Sequence, residues 1–277
     1  MLFQSERMKN YIQCDQYMHQ LTQLLARTNK AFQRAKPDDS HTNVFFEPLS
    51  NRIYGRRMMI PDSGLQFYPA IDVIESLFLI VDSHGKTSES IPLTEKSFEE
   101  TLLELAALWR KMGLDTLPFE QPLHYDIPVY PFANGALTSP AKENLETWLK
   151  LRSIANEALG TLESSFLAES KVRIWPHHFD TGVFLQVTDD EGIGAGLAMA
   201  DEVCETPYFY LSGQLTKGDF DYGTPQSKTG IWRLKGDWKG ALLPATKELM
   251  IDSREVYLWL NNTAKYIRNR ILVQSNE

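Results

Sequence analysis

The chain has 277 residues, enough to bury a sizeable core in one large or two small domains. Its apolar content of 43% and charged content of 23% are those of an ordinary globular protein. The net charge of −8 argues against nucleic-acid binding, which needs a sustained basic face; Arg52, Arg56, Arg57 and Lys265, Arg268, Arg270 are isolated patches.

Ser5, Glu6, Arg7, Lys9 and Asn10 place polar groups where a signal peptide needs an apolar run. The first element is a helix. Tyr11, Cys14, Met18, Leu21, Leu25, Thr28, Phe32 and Ala35 recur at alternating spacings of three and four. The stripe serves either a helix laid on its own sheet, the commoner case, or a partner surface through which the chain forms a homo-oligomer. Pro37-Asp38-Asp39-Ser40 ends the run.

From Thr42 to Leu93 the pattern turns to strands at Val44–Phe46, Arg52–Ile60 and Val73–Val81, separated by turn residues. Asp82-Ser83-His84-Gly85 reads as a hairpin turn, and Ser97 opens a helix that Gly113 closes. Residues 114–140 carry Pro118, Pro122, Pro128, Pro131 and Pro140, a density that predicts an extended arm without helix. Its apolar and aromatic members predict that the arm is packed onto a surface.

A second long helix is expected over 141–169. Strands follow at Lys171–Trp175, Thr181–Thr188, Ile193–Ala200, Tyr208–Gln214, Gly230–Leu234 and Trp238–Leu243, and a closing helix at Ser253–Leu272. The order helix, antiparallel strands, helix thus occurs twice. Ser90–Lys96 and Leu242–Glu248 echo one another at the approach to a helix. The expected fold is α+β, with two helix–antiparallel sheet–helix halves related by internal duplication. The halves span 1–113 and 141–277, with 114–140 as the connecting arm.

The segment Trp175-Pro176-His177-His178-Phe179-Asp180 concentrates the chemistry. As a strand it alternates, placing Trp175, His177 and Phe179 on one face and His178 and Asp180 on the other. The two histidines then point apart, His177 into aromatic packing. His178 and Asp180 form a candidate acid–base pair, with the aspartate orienting the imidazole, as in a hydrolase. A metal needs further ligands, and nothing fixes Asp189, Asp190, Glu191, Asp201 or Glu202 in space, so no metal site is assigned.

Gly192-Ile193-Gly194-Ala195-Gly196 is not a phosphate loop, because Leu197-Ala198-Met199-Ala200 continues it as a strand. Gly194 and Gly196 then lie on a nearly bare face, which Trp175, Phe179, Tyr208 or Tyr210 fills from adjacent strands or a ligand occupies. Asp219, Asp221 and Tyr222 lie in a long polar connection. Cys14 and Cys204, alone and without metal spacing, fit a reducing, cytoplasmic setting. No window is apolar over a bilayer's length.

Asp82–Leu93, Ile127–Phe132, the helix around Trp148, Lys171-Val172 and Phe179-Asp180 resemble a family of bacterial proteins of unknown function. That family shows a His-Phe-Phe-Trp-Gly-Ser-Phe-Asp-like run at its centre. Phe179 and Asp180 fit the run and His177-His178 does not, which favours Asp180 over a double-histidine site. The resemblance implies no activity. The function expected from the residues is therefore small-ligand binding or interaction. Its cleft would lie near residues 175–210, with Trp175, His177, Gly194, Gly196, Tyr208 and Tyr210 as its lining and His178 and Asp180 as polar anchors. The alternatives are the hydrolase and a structural or assembly module.

Overall fold

The run from Glu6 to Phe32 contains neither proline nor glycine and forms one 27-residue helix, α1. A computed structural model describes α1 and the rest of residues 5–61, 63–189, 191–215, 220–225, 230–246 and 252–274. The chain divides into two compact units. The N-terminal unit comprises Gln13–Leu149 and Ile174–Phe179; the C-terminal unit comprises Met1–Ile12, Lys150–Arg173 and Asp180–Glu277.

The stripe read from the sequence is buried from Tyr11 to Thr28, while Phe32 is half-buried and Ala35 is exposed beyond the end of the helix; nor is the stripe the whole buried surface. Every residue from Tyr17 to Ala26 is buried, His19, Thr22 and Gln23 among them, and so is Asp15. Polar groups removed from water need partners, because an unsatisfied one costs about 1–3 kcal/mol.

The N-terminal sheet is antiparallel: β1 (Phe45–Glu47), β2 (Arg52–Tyr54), β3 (Met58–Met59), β4 (Gln66–Asp72), β5 (Leu77–Asp82) and β6 (Thr87–Pro92). Its order is β1-β2-β4-β5-β6, with β3 also on β4. Two sequence expectations are corrected here. Strand β4 was not expected, since Pro69 has no N–H to give a ladder. Pro69 lies opposite the gap between β2 and β3, where its carbonyl accepts the Gly55 N–H at 2.8 Å and its nitrogen faces no acceptor strand. The expected strand Val73–Val81 begins instead with a turn, in which Ser76 has φ +50°.

The hairpin turn forms as read. Asp82 accepts the amides of His84 at 2.8 Å and Lys86 at 2.9 Å, and Gly85 takes φ +81°. Helix α2 (Phe98–Lys111) starts in a reciprocal capping box between Ser97 and Glu100. It delivers Trp109 into the core, where its indole meets the rings of Phe32, Phe67, Phe78 and Phe119 at centroid distances of 5.8–6.4 Å.

The proline-rich arm is not wholly extended. Leu117–Glu120 forms a single helical turn, α3, because Pro118 stands in its first turn, where a missing N–H costs nothing. Arg27 of α1 donates to the carbonyls of Phe119 (2.7 Å), Glu120 (2.7 Å) and Gln121 (3.1 Å), and Lys30 to that of Pro122 (2.6 Å). Further along, Tyr125 donates to Gln23 at 3.1 Å, and Tyr130 is buried against His19. The arm is thus held by the polar residues of α1, at positions 19, 23, 27 and 30.

Helix α4 (Lys142–Phe166) and strand β7 (Arg173–Trp175) follow. The C-terminal sheet contains β8 (Asp180–Gln186), β9 (Glu191–Ala198), β10 (Tyr208–Leu215), β11 (Ile231–Arg233) and β12 (Gly240–Pro244), antiparallel in the order β11-β12-β10-β9-β8. Helix α5 (Ser253–Gln274) packs on β9 and β10. Two antiparallel sheets with helices segregated from the strands make the fold α+β. Lys247 and Glu248, part of the sequence echo, lie outside the described residues. No helix among the described residues is long and apolar enough to cross a membrane.

Removing the indole that joins four rings leaves a large cavity. Trp109→Ala is expected to destabilise the chain by about 3–5 kcal/mol, measured by urea unfolding.

Candidate functional site

The hexapeptide 175–180 is not one strand. Strand β7 stops at Trp175, residues 176–179 turn, and β8 starts at Asp180. The Trp175 carbonyl accepts the amides of His178 at 3.3 Å and Phe179 at 2.6 Å, and Phe179 takes φ +56°. That conformation is uncommon for a bulky residue, so local sequence could not announce it. It sends the Phe179 ring inward between His19 (5.3 Å, 12°) and Trp148 (6.1 Å, 14°), with no exposed surface.

The turn is anchored by α1. The Pro176 carbonyl accepts from His19 Nε2 at 2.8 Å and from Gln23 Nε2 at 2.9 Å. His19 Nδ1 lies 2.5 Å from the Tyr130 hydroxyl, so both ring nitrogens are engaged. Asp15, one turn earlier, accepts from the Trp148 indole at 2.7 Å. Burial, and then the nearby Asp15, push the Tyr130 phenol above its ordinary value. Sequence reasoning missed this network because it followed apolar positions. The available signal was the four-residue spacing of Asp15, His19, Gln23 and Arg27.

The strand alternation expected for the histidines therefore fails. Their rings lie 4.3 Å apart, and they do not point to opposite faces. His177 is half-buried near Trp175 and Tyr125, at 6.2 and 5.7 Å; His178 is exposed. His178 belongs to the N-terminal unit and Asp180 to the C-terminal one. Among the described residues, no group of three or more His, Cys, Asp or Glu side chains is placed to hold a metal ion. Asp190 and Asp219 lie outside those residues.

The C-terminal unit assembles a different set of groups around β9. Register places Gly196 between Gly182 on β8 and Tyr210 on β10, and Gly194 between Phe184 and Ser212. Side chains alternate along strands, so Asp180, Gly182, Phe184 and Gln186 share a face with Gly192, Gly194 and Gly196 and with Tyr208, Tyr210, Ser212 and Gln214. The other face carries Val183, Leu185, Ile193, Leu197, Phe209 and Leu211, which are buried. Helix α5 lies on that apolar side, where Trp232 meets Tyr266 at 5.5 Å.

On the glycine face, side chains from both flanking strands fold across β9. A Cβ on Gly196 would stand 2.6 Å from the Tyr210 ring, and one on Gly194 would stand 2.7 Å from the Gln214 amide nitrogen. A Cβ on Gly192 would strike the ring of Phe184. At Gly196 and Gly192 backbone oxygens, of Thr181 and Leu185, stand within 2.8 Å of the Cβ position as well, so only glycine allows the approach there. Tyr210 thereby reaches over β9 and donates its hydroxyl to Asp180 on β8 at 2.5 Å. Tyr208 similarly donates to Asp201 at 3.0 Å.

Burial raises the Tyr210 phenol well above its ordinary value, and the Asp180 charge raises it further. Tyr208 is raised for the same reasons, with Asp201 as the principal carboxylate. Both phenols therefore remain neutral donors, unsuited to act as bases. The face is open at one end, where Phe184 is 37% exposed and Gln186 and Gln214 are exposed. Of the residues singled out in the sequence, the structure brings together Asp180, Gly194, Gly196, Tyr208 and Tyr210. Gly182, Phe184, Ser212 and Gln214 join them through register, which the sequence does not display.

Comparison with family models, with curated proteins and with solved structures finds no match to this chain. The chemistry of the site therefore has to be read from its own geometry.

Two outcomes follow from that geometry. Gly196→Ala drives a methyl group into the Tyr210 ring and should cost about 1–3 kcal/mol in urea unfolding, with loss of the Tyr210–Asp180 bond. Gly64→Ala is a poor control because of its φ of +67°; Gly160→Ala, with open space around its Cβ, should not destabilise. A phenol raised in the folded state stabilises the fold fully below the unfolded value near pH 10, and that stabilisation is lost as pH rises through the folded value. Tyr210→Phe should therefore lose less stability than the parent between neutral pH and pH 11, measured by thermal unfolding.

Proposed function

We propose that the chain is a small-ligand-binding protein whose ligands are neutral, polyhydroxylated molecules of the sugar type. The observation that carries this reading is the close approach of the Phe184 and Tyr210 rings to the glycines of β9. Phe184 is 37% exposed beside these glycines, and an aromatic face takes the C–H side of a pyranose ring. Around these rings stand Ser212, Gln214 and Gln186, all uncharged, with hydrogen-bond donors and acceptors suited to hydroxyl groups.

The reading keeps Asp180 as a polar anchor, in a supporting capacity: its carboxylate holds the Tyr210 hydroxyl and so fixes the ring. It is preferred to the hydrolase alternative because the Asp180 carboxylate is engaged by the Tyr210 hydroxyl at 2.5 Å. The free cysteines Cys14 and Cys204 support a cytoplasmic setting. The recurrence of helix, antiparallel strands and helix in each half supports an internal duplication.

The test is a titration of the full chain with methyl β-glucoside, methyl β-galactoside and N-acetylglucosamine, followed by aromatic side-chain NMR. At least one sugar should shift Phe184 and Tyr210 signals saturably, with Kd in the millimolar range, about −4 kcal/mol. Phe184→Ala should weaken that binding about tenfold without unfolding the chain, since the side chain is partly exposed. Absence of a saturable shift with all three sugars, or equal binding by Phe184→Ala, would overturn the assignment.

A further inference from the structure

We infer that a cleft between α4 and α5 binds a free α-amino acid in its zwitterionic form, at a site separate from the glycine face. The cleft has a volume of about 280 Å³. It is lined by Glu157, Ala158 and Thr161 of α4 and by Ser253, Arg254 and Tyr257 of α5. Pockets for drug-sized ligands span roughly 300–1,000 Å³, so this one suits a smaller molecule. Both helical segments belong to the C-terminal unit.

Helix geometry sets the spacing of the lining. Residues three and four apart share a helix face, so Glu157, Ala158 and Thr161 form one wall and Ser253, Arg254 and Tyr257 the other. Ala158 is buried, and its single methyl group leaves space that a longer side chain would fill. Further toward their C-termini the same helices meet where the Arg268 guanidinium lies over the Phe166 ring, 5.9 Å from its centroid. The start of α5 is closed by its own residues. Asp252 accepts the Arg254 N–H on its carboxylate at 2.8 Å and the Val256 N–H on its carbonyl at 3.1 Å. The Arg254 guanidinium, not the helix end, is therefore the group that an anion meets.

The two walls carry opposite charges that do not pair. The Thr161 hydroxyl donates to the Glu157 carbonyl at 2.9 Å, which leaves the Glu157 carboxylate uncommitted. Among the described residues, no ion pair or hydrogen bond engages that carboxylate, the Arg254 guanidinium, or the hydroxyls of Ser253 and Tyr257. A zwitterion joins them. Its ammonium donates to Glu157, and its carboxylate accepts two parallel N–H groups from Arg254 and the hydroxyl of Ser253. The remaining surface, the Tyr257 ring and the Ala158 methyl, favours an apolar side chain on the amino acid. A neutral sugar answers neither charge, and a simple anion or cation answers only one.

Calorimetric titration of the full chain at pH 7 tests the inference, first with leucine, valine, methionine and phenylalanine, then with the N-acetyl and amide forms of the tightest binder. At least one free amino acid should bind saturably. Each blocked form lacks one charge and should bind about tenfold more weakly, because one wall of the cleft is left unanswered. Glu157→Gln should weaken the free amino acid about tenfold and leave the residual binding of its N-acetyl form unchanged. Arg254→Gln should weaken the free amino acid to a similar degree and leave that of the amide form unchanged. Both positions are exposed, so the urea midpoints should stay at the parent value. Absence of saturable binding by all four amino acids, equal binding by either blocked form, or unchanged binding in either variant would each overturn the site.

Discussion

A row of polar side chains inside α1 is the constraint on which the N-terminal unit depends. The arm from 117 to 132 contributes little regular hydrogen bonding of its own, and proline removes some of its donors. Its carbonyls and phenols instead meet Arg27, Lys30, Gln23 and His19, spaced so that they rise along one side of the helix. The same His19 and Gln23 hold the Pro176 carbonyl, so the turn 176–179 and the arm share one anchor. Such a network is strong when fully satisfied and costly when partly broken, because buried groups have no water to fall back on. The helix is therefore a scaffold in its interior as much as an apolar surface.

The C-terminal unit solves a related problem by omission. Its strand β9 lacks side chains at three successive positions on one face, and its neighbours use the space. Tyr210 crosses in one direction and Phe184 in the other, each ring coming close to a glycine. The apolar positions between the glycines, Ile193, Ala195 and Leu197, remain buried on the side of α5. One strand thus serves packing and surface shape through alternate residues.

The elements most legible in the sequence were those with strong periodicity and clear ends. The capping box at Ser97 and the hairpin at Asp82–Gly85 carry their own local chemistry, so they could be read before any tertiary contact. The strands β8, β9 and β10 were legible because one face is apolar at every second residue. Strand β4 was hidden by Pro69, whose cost disappears only where the neighbouring strands leave a gap. The turn at 176–179 was misread because alternating aromatics imitate a strand and a left-handed Phe179 has no local signature. For the site, Gly194, Gly196 and Tyr210 could be matched on composition. Phe184 and Gln214 could not, because which residue faces which glycine is decided by register.

The glycines of β9 also bear on how the sheet orders itself. A glycine inside a strand loses more conformational freedom on folding than alanine would, by roughly 0.5–1 kcal/mol each. Gly192, Gly194 and Gly196 together make β9 the strand with the weakest preference of its own for extension. Its order is borrowed from β8 and β10, which pair with it on both edges over most of its length. Tyr210 and Asp180 then act as a rivet between strands that are not adjacent, closing over the borrowed strand from above. The glycine face is thus completed by side chains only after the backbone beneath it has paired.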